Sequence, residues 1–518
     1  MSTRRSALTF VLGVVALTAT SVLFLSTTTG LDSSAVLKRD YRAVRDPAAP
    51  LQFRSDGSFQ ISIFEDLHFG ENAWTYWGPQ QDFNSVRVIE AVLDAERPDL
   101  VVLNGDLITG ENTFRENSTA YLDQIVKPMI QRTVPWASTY GNHDSDFNLS
   151  RSALLEREQQ QMPAGLARTV NMMANSAGHA GVTNYYLPVY GSNCQVLENI
   201  ADHCVPLLIL WFFDSRGGFH YQQKDAKTGA RVGQENWVDV SVVEWFKTTH
   251  EALLVKYSTL IPSLAFVHIP PNVAYALQMD NTPGHGIDPH RQPGINDDKP
   301  LAQQSQGWCQ DGTNSGSGGG DGSGNSGQPK GCAYGGQDEP FMRAIATCGN
   351  GTGVIALFSG HDHGDTWCHT WDAGKKLPGV DIPGTGVHFC FGQHSGYGGY
   401  GTWTRGARQV RVTEASLKEA AVMPSTIRQR PDVDTWIRLE TGTVVGHVSL
   451  NATYGLDVYP ATPNTHTHCP TCNSAKTANT ETSRKQPSSW DMFFGSDSKG
   501  QPGSSAQQLP ELQVQGPK

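Results

Sequence analysis

Short, mostly apolar runs alternate along the chain with stretches in which apolar positions recur at helical spacing. The runs are FQISIF (59–64), LVVLN (100–104), LLILWFF (207–213), LAFVHI (264–269), VIALFS (354–359) and VHFCFG (387–392). A run of this length with little polar alternation predicts a strand covered on both faces. The helical patterns fall at 84–97, 119–131 and 238–256. Buried strands separated by helices predict a layered α/β domain over residues 51–460.

The ends of the chain read differently. Arg4 and Arg5 precede an uncharged run from Ala7 to Leu25. A positive flank before an apolar stretch predicts that residues 1–30 are a secretory signal peptide or a signal anchor. Residues 31–50 read as a linker, and the Gly/Ser-rich insert 310–331 as a loop. Residues 461–518 are rich in Thr, Ser, Pro and Gln and predict a disordered tail. Either reading of the amino end places the rest of the chain in the lumen of the secretory pathway, a vacuole or the exterior, with membrane anchoring through the amino-terminal segment as the alternative. Nine cysteines in such a compartment predict disulfides and one thiol left over. Cys194 with Cys204 and Cys309 with Cys332 are the natural pairs, while Cys469 and Cys472 form a CxxC with no second CxxC to complete a zinc site. Sequons at Asn117, Asn148, Asn350 and Asn451 fit a secreted glycoprotein. The 39 Lys and Arg against 50 Asp and Glu give a net charge of −11, so no nucleic-acid-binding surface is expected.

The chemistry lies at the ends of the strands. FQISIF runs into Glu65-Asp66-Leu67-His68, and LVVLN into Gly105-Asp106. VPWASTY runs into Gly141-Asn142-His143-Asp144, LAFV reaches His268, and VIALFS runs into Gly360-His361-Asp362-His363. Ligands of open α/β sheets bind beyond the carboxyl ends of the strands. Five strand ends thus deliver Asp66, His68, Asp106, Asn142, His268, His361 and His363 toward one rim. Each fragment alone is unspecific, since a Gly-Asp after a strand is usually a turn. Together they exceed what one ion needs. Imidazole and carboxylate without thiolate suit Mn, Zn or Fe, and two ions sharing a carboxylate fit the number. Such a pair clamps a phosphoryl group and acidifies a water between the ions.

The order D-x-H, GD, GNHD, H, GHDH resembles the calcineurin-like metallophosphoesterases, the superfamily that includes the purple acid phosphatases. The likeness runs over about residues 57–450, and FGQHSGYGGYGTWTRGARQVRV (391–412) with WIRLETG (436–442) is similar to the fungal secreted or membrane-anchored branch. The resemblance implies a four-layer α-β-β-α sandwich with two mixed β-sheets. It implies that Asp66, His68 and His363 bind one metal, that Asn142, His268 and His361 bind the other, and that Asp106 bridges. It implies that His143 is catalytic, protonating the leaving oxygen or stabilising the transition state. The implied cofactors are two divalent or mixed-valence ions, Mn, Zn or Fe. Purple enzymes carry GDxxY and D-x-G. This chain has Thr109 in place of the tyrosine and His68 in place of the glycine, which removes the support for a purple ferric centre.

The expected activity is hydrolysis of phosphomonoesters by a metal-bridging hydroxide, with a phosphate ester as substrate. The alternatives are a phosphodiesterase acting on nucleotides or lipid head groups, a phosphoprotein phosphatase, or an inactive homologue that binds a partner. His394, Tyr397 and Tyr400 follow a strand in a Gly-rich loop that could line the cleft. Arg216 follows another strand and could pair with a phosphate oxygen or serve a structural ion pair. Asp144, Asp362 and Asp365 are placed to orient histidine ligands. Because a Gly/Ser loop contributes little packing, deleting residues 311–330 should leave turnover and melting temperature unchanged. A collapse in soluble yield would contradict the loop reading.

Overall fold

The computed structural model describes residues 49–467, apart from 162, 164, 174–178, 195–203, 283–284, 300, 302–304, 309–333, 378 and 423–429. The predicted signal or anchor, most of the linker, the Gly/Ser insert and most of the tail lie outside those residues, as do Cys309, Cys332, Cys469 and Cys472. In chain order the strands are β1 (Leu51–Gln52), β2 (Ser58–Phe64), β3 (Leu100–Asn104), β4 (Trp136–Thr139), β5 (Tyr185–Tyr190), β6 (Pro206–Phe213), β7 (Phe219–Lys224), β8 (Arg231–Gly233), β9 (Ser263–Val267), β10 (Val354–Ser359), β11 (Cys368–Trp371), β12 (Val387–Phe391), β13 (Gly406–Thr413), β14 (Val433–Leu439) and β15 (Val444–Leu450). The helices are α1 (Gly78–Glu96), α2 (Arg115–Arg132), α3 (Arg151–Gln161), α4 (Val240–Tyr257), α5 (Asn272–Met279), α6 (Glu339–Gly351) and α7 (Glu414–Val422).

All six apolar runs are strands, and all three helical patterns are helices. Helix α1 begins at Gly78, ahead of the pattern at 84, because Pro79 opens its first turn and the residues up to Gln81 are polar. Helix α4 is capped by Asp239, whose carboxylate accepts from Ser241 N at 2.9 Å.

Two mixed sheets face each other. One has the order β1-β5-β6-β9-β10-β12-β11, the other β15-β14-β13-β2-β3-β4. Strands β6, β9, β10 and β12 run parallel in the first, as do β2, β3 and β4 in the second. The side chains explain the layers. Along β6, Leu208, Leu210 and Phe212 face the opposite sheet, while Ile209, Trp211 and Phe213 face α4, α5 and α6. Along β2, Phe59, Ile61 and Ile63 point inward, and Phe64 packs with residues of α1 and α2. Burial on both faces is why these strands read as continuous apolar runs. The result is the expected four-layer α-β-β-α sandwich. An aromatic ladder, Tyr185–Phe212–Phe266–Phe358, crosses the inner face with ring centroids 4.5, 5.1 and 5.6 Å apart.

Cys194 and Cys204 are joined, as their spacing suggested. Cys368 and Cys390 are also joined, a pairing not anticipated. They lie 22 residues apart but directly opposite each other on β11 and β12. Cys348 is a buried free thiol. The described chain continues past 460: Thr404 N donates to Thr465 O, and Thr467 N to Thr402 O, both at 2.9 Å. No helix among the described residues is long and apolar enough to cross a membrane.

Strand β4, which leads to Asn142 and His143, is anchored by one carboxylate. Glu158 on α3 accepts from Trp136 Nε1 (2.9 Å), Ser138 Oγ (3.1 Å), Tyr140 OH (2.8 Å) and Thr169 Oγ1 (2.6 Å). Its removal strands buried donors, each worth about 1–3 kcal/mol. Glu158→Ala should therefore lose about 3 kcal/mol or more, read as a lower urea midpoint at unchanged slope.

Candidate metal centre

The turn after β2 is laced to the turn after β3. Asp66 N donates to Gly105 O, Leu67 N and His68 N to Asp106 O, and Phe69 N to Leu107 O, at 2.8–3.1 Å. Asp144 ties in the turn after β4: one oxygen accepts from Leu107 N (2.9 Å) and Ile108 N (3.0 Å), the other from Gly141 N (2.8 Å). His143 N donates to Asp106 Oδ1 at 2.8 Å, and His361 N to Asp66 Oδ1 at 3.1 Å. Gly360 N donates to His268 O at 3.0 Å. Five turns from two sheets are thereby one hydrogen-bonded unit. The backbone is strained to achieve it. Asp66, His68, Asp106 and His361 all have positive φ, at 53°, 48°, 49° and 76°. Non-glycine residues adopt this conformation at a cost and concentrate at functional sites when they do. Gly105, at φ 92°, lies so close to the His268 ring that any side chain there would collide with it.

Two groups of ligand atoms result. Those of Asp66, His68 and His363 lie within 4.8 Å of one another, as do those of Asp106, His268 and His361. His68 Nε2 is 3.2 Å from His363 Nε2 and 3.8 Å from Asp106 Oδ2. His268 Nε2 is 3.0 Å from the same Asp106 oxygen, out of line for a hydrogen bond. Asp106 therefore stands between the groups. Asn142 Oδ1 is buried without a hydrogen-bond partner among the described residues, as is His268 Nε2. The tautomers are set from behind. His268 Nδ1 lies 2.7 Å from Asn104 O and His363 Nδ1 lies 2.9 Å from Tyr400 O, so each donates to a carbonyl and leaves Nε2 toward the centre. Nitrogen and oxygen ligand atoms gathered in two buried groups fit cations, two in number, with nitrogen and oxygen ligands.

The charges agree. Burial, with His143 nearby, pushes His68 down to about 3, and burial, with His268 nearby, does the same to His361. Burial and His68 hold His363 well below its ordinary value. These imidazoles are neutral, the form that binds metal. Burial raises Asp66 to about 7. Burial also works against ionisation of Asp106, but His268 and His143 outweigh it and hold that carboxyl well below its usual range. Burial likewise opposes a charge on His268, yet Asp106 raises it to about 9. A proton on His268 thus answers Asp106 where a cation would otherwise do so, and metal binding would release it.

His143 lies beside this centre, its ring edge-on to His68 at 4.8 Å. The other predicted residues fall elsewhere. His394 is not at an open cleft: it is buried behind His363, with ring centroids 4.0 Å apart and Nε2 against Gly398 O. Arg216 is not free for a phosphate. Its guanidinium lies 3.3 Å from Glu235 and 3.2 Å from Asp239 and donates to the carbonyls of Trp237 and His179. Tyr397 donates to Glu440 at 2.8 Å, whereas Tyr400 stacks on His363 at 4.0 Å. The acids expected to orient histidines do not: Asp144 binds backbone amides, Asp365 accepts from Gln278, and both oxygens of Asp362 lack a hydrogen-bond partner among the described residues. Sequence reasoning singled out Thr109 only as the residue in the tyrosine's place and not for its hydroxyl, which is 3.3 Å from His68 Nδ1, and it missed Glu111, which meets His143. Asp106→Asn removes the charge between the two groups. It should lose most bound metal by elemental analysis and with it the rise in melting temperature that metal confers; normal metal content would contradict the shared role.

Comparison with known proteins follows the same line. The calcineurin-like phosphoesterase family profile matches residues 63–274. The chain is 26% identical over 420 residues to "Probable inactive purple acid phosphatase 28" of Arabidopsis thaliana, covering 77% of this chain and 85% of that protein. It is 30% identical over 236 residues to "Phosphatase DCR2" of Saccharomyces cerevisiae, covering 44% of this chain and 37% of that one. Among solved structures, a dimetal phosphatase from Danio rerio aligns with a TM-score of 0.42 at 12% identity, over 76% of this chain and 98% of that one. The profile match spans the turns that carry Asp66, His68, Asp106, Asn142, His143 and His268, and over these residues the chain is similar to the calcineurin-like phosphoesterases.

Proposed function

We propose that the protein is a two-metal phosphatase that hydrolyses phosphomonoesters. The observation that carries this reading is the pair of ligand groups meeting at Asp106, with His143 alongside. In this reading Asp66, His68 and His363 hold one cation, Asn142, His268 and His361 the other, and Asp106 both. When bound, two such cations polarise phosphoryl oxygens and make water a nucleophile at neutral pH. The chain's own contribution is placement. Asn142 would offer the second cation its Oδ1, which has no hydrogen-bond partner among the described residues. His143 Nε2 makes no hydrogen bond within the described protein while Nδ1 faces Glu111, so Nε2 is the nitrogen that gives a proton to the leaving oxygen. The donor set suits Mn, Zn or Fe. The disulfides Cys194–Cys204 and Cys368–Cys390 favour an oxidising compartment, in keeping with a secreted, vacuolar or luminal protein.

The name of the Arabidopsis relative favours a second reading, an idle homologue that binds a partner. Against it, every ligand and His143 are present here. Turnover of p-nitrophenyl phosphate, its bis ester and a phosphopeptide with added Mn²⁺ separates these readings. The expected result is hydrolysis of the monoester; on β-glycerophosphate, whose basic leaving oxygen needs the proton, kcat should be about 10²–10⁴ lower in His143→Ala. Preference for the bis ester would replace the reading with a diesterase, preference for the phosphopeptide with a protein phosphatase, and bound metal without turnover with a binding protein.

A further inference from the structure

His143 has a partner outside the motif that carries it. Glu111 sits in the 3-10 turn Gly110–Asn112, five residues past Asp106. Its two carboxylate oxygens lie 2.9 and 3.0 Å from His143 Nδ1. The same turn grips the backbone of His143, because Gly110 N donates to His143 O at 2.9 Å. It is fixed on its far side as well: Asn112 Oδ1 accepts from Asn72 N at 2.6 Å, in the segment that leads from His68 into α1. On the side of the metal centre, His143 N donates to Asp106 Oδ1. The imidazole is therefore held between Glu111 and the edge of His68.

A carboxylate only accepts, so Nδ1 must carry the hydrogen of this contact and Nε2 is left as the working nitrogen. We infer that Glu111 is a positioning residue for His143: it fixes the ring's orientation and keeps Nδ1 occupied, so that Nε2 stays available beside His68 and Asp106. It touches neither metal ligand nor substrate and acts on the reaction only through His143. This rests on the phosphomonoesterase reading, in which His143 protonates the leaving oxygen. An oxygen from water bonds to phosphorus as the P–O bond to the leaving group breaks, and the electron pair on the leaving oxygen takes the proton that the His143 imidazolium carries on Nε2, leaving Nδ1–H with Glu111. An ester whose leaving oxygen is strongly basic needs that proton; p-nitrophenolate needs it far less.

The test compares p-nitrophenyl phosphate with β-glycerophosphate, an alkyl ester, in the metal-loaded full chain. Glu111→Ala should lower kcat on the alkyl ester about 100-fold. On the aryl ester the loss should be less than about 10-fold, with KM nearly unchanged and metal content intact. Glu111→Gln, whose amide oxygen still accepts from Nδ1–H, should recover most of the loss. Glu111→Ala combined with His143→Ala should be no worse than His143→Ala alone, the sign of residues acting as one unit. A proton NMR spectrum of the metal-free protein should show a low-field Nδ1–H resonance that disappears in both Glu111→Ala and His143→Ala. Equal losses on the two esters, additive losses in the double variant, or an unchanged NMR spectrum in Glu111→Ala would overturn the inference. If the wild type turns over neither ester, the functional reading fails by itself, and the NMR signal still decides whether Glu111 holds His143.

Discussion

Two buried nitrogens, His68 Nε2 and His363 Nε2, face each other at 3.2 Å. His363 Nδ1 is already turned to Tyr400 O, so its Nε2 presents a bare lone pair. Burial keeps both rings neutral, so without a cation the contact requires the single ring proton of His68 on Nε2, the nitrogen that a metal would take. Lone pairs brought together away from water repel unless a positive charge lies between them. The sandwich is built around that demand. It holds Asp66, Asp106 and four imidazoles in a region where none of them would gather unassisted.

The cost of holding them is visible in the backbone. Four proposed ligands occupy the left-handed region, at about 1–3 kcal/mol each. What offsets this is not a single interaction. Backbone amides of the β2 turn bond to the β3 turn, Asp144 joins the β3 turn to the β4 turn, and the Asp66 carboxylate accepts the amide of His361 from the other sheet. Beneath them, parallel strands covered on both faces fix where each turn starts. Packing of the core and placement of the ligands are consequently one problem. The aromatic ladder Tyr185–Phe212–Phe266–Phe358 sets the spacing of β6, β9 and β10, and with it the positions of His268 and His361.

The gathering of these proposed ligands was legible in the sequence because each follows an apolar run that is a strand, and the run's length fixes where the turn falls. The layers were legible for the same reason. What surrounds the ligands was not. His268 is oriented by the carbonyl of Asn104 and His363 by that of Tyr400, and a carbonyl has no residue signature. Nearby aspartates drew attention because carboxylates often do this work, yet here Asp144 serves amides and Asp362 serves no described group. Arg216 and His394 also followed strands, but position after a strand does not give direction: one side chain turns to Glu235 and Asp239, the other behind His363. Cys368 and Cys390 pair through the register of two antiparallel strands, which local spacing does not contain.

The two departures from the purple phosphatase pattern prove to be neighbours. His68 stands where that pattern has glycine and Thr109 where it has tyrosine, 41 residues apart in the chain and 3.3 Å apart in space. An imidazole at 68 occupies the volume a glycine would leave open, and it needs something on Nδ1 to commit Nε2 to the metal group. A short hydroxyl from 109 meets that need and leaves room for the ring, whereas a phenol brought from 109 would compete for the same space. The pair is therefore a single exchange. Under the proposed function, a nitrogen ligand from the β2 turn stands where that pattern would have an oxygen ligand from the β3 turn, with the Thr109 hydroxyl beside the same ring. On the same reading, a neutral nitrogen in place of a phenolate lowers the negative charge of that group, which would favour a divalent over a trivalent ion.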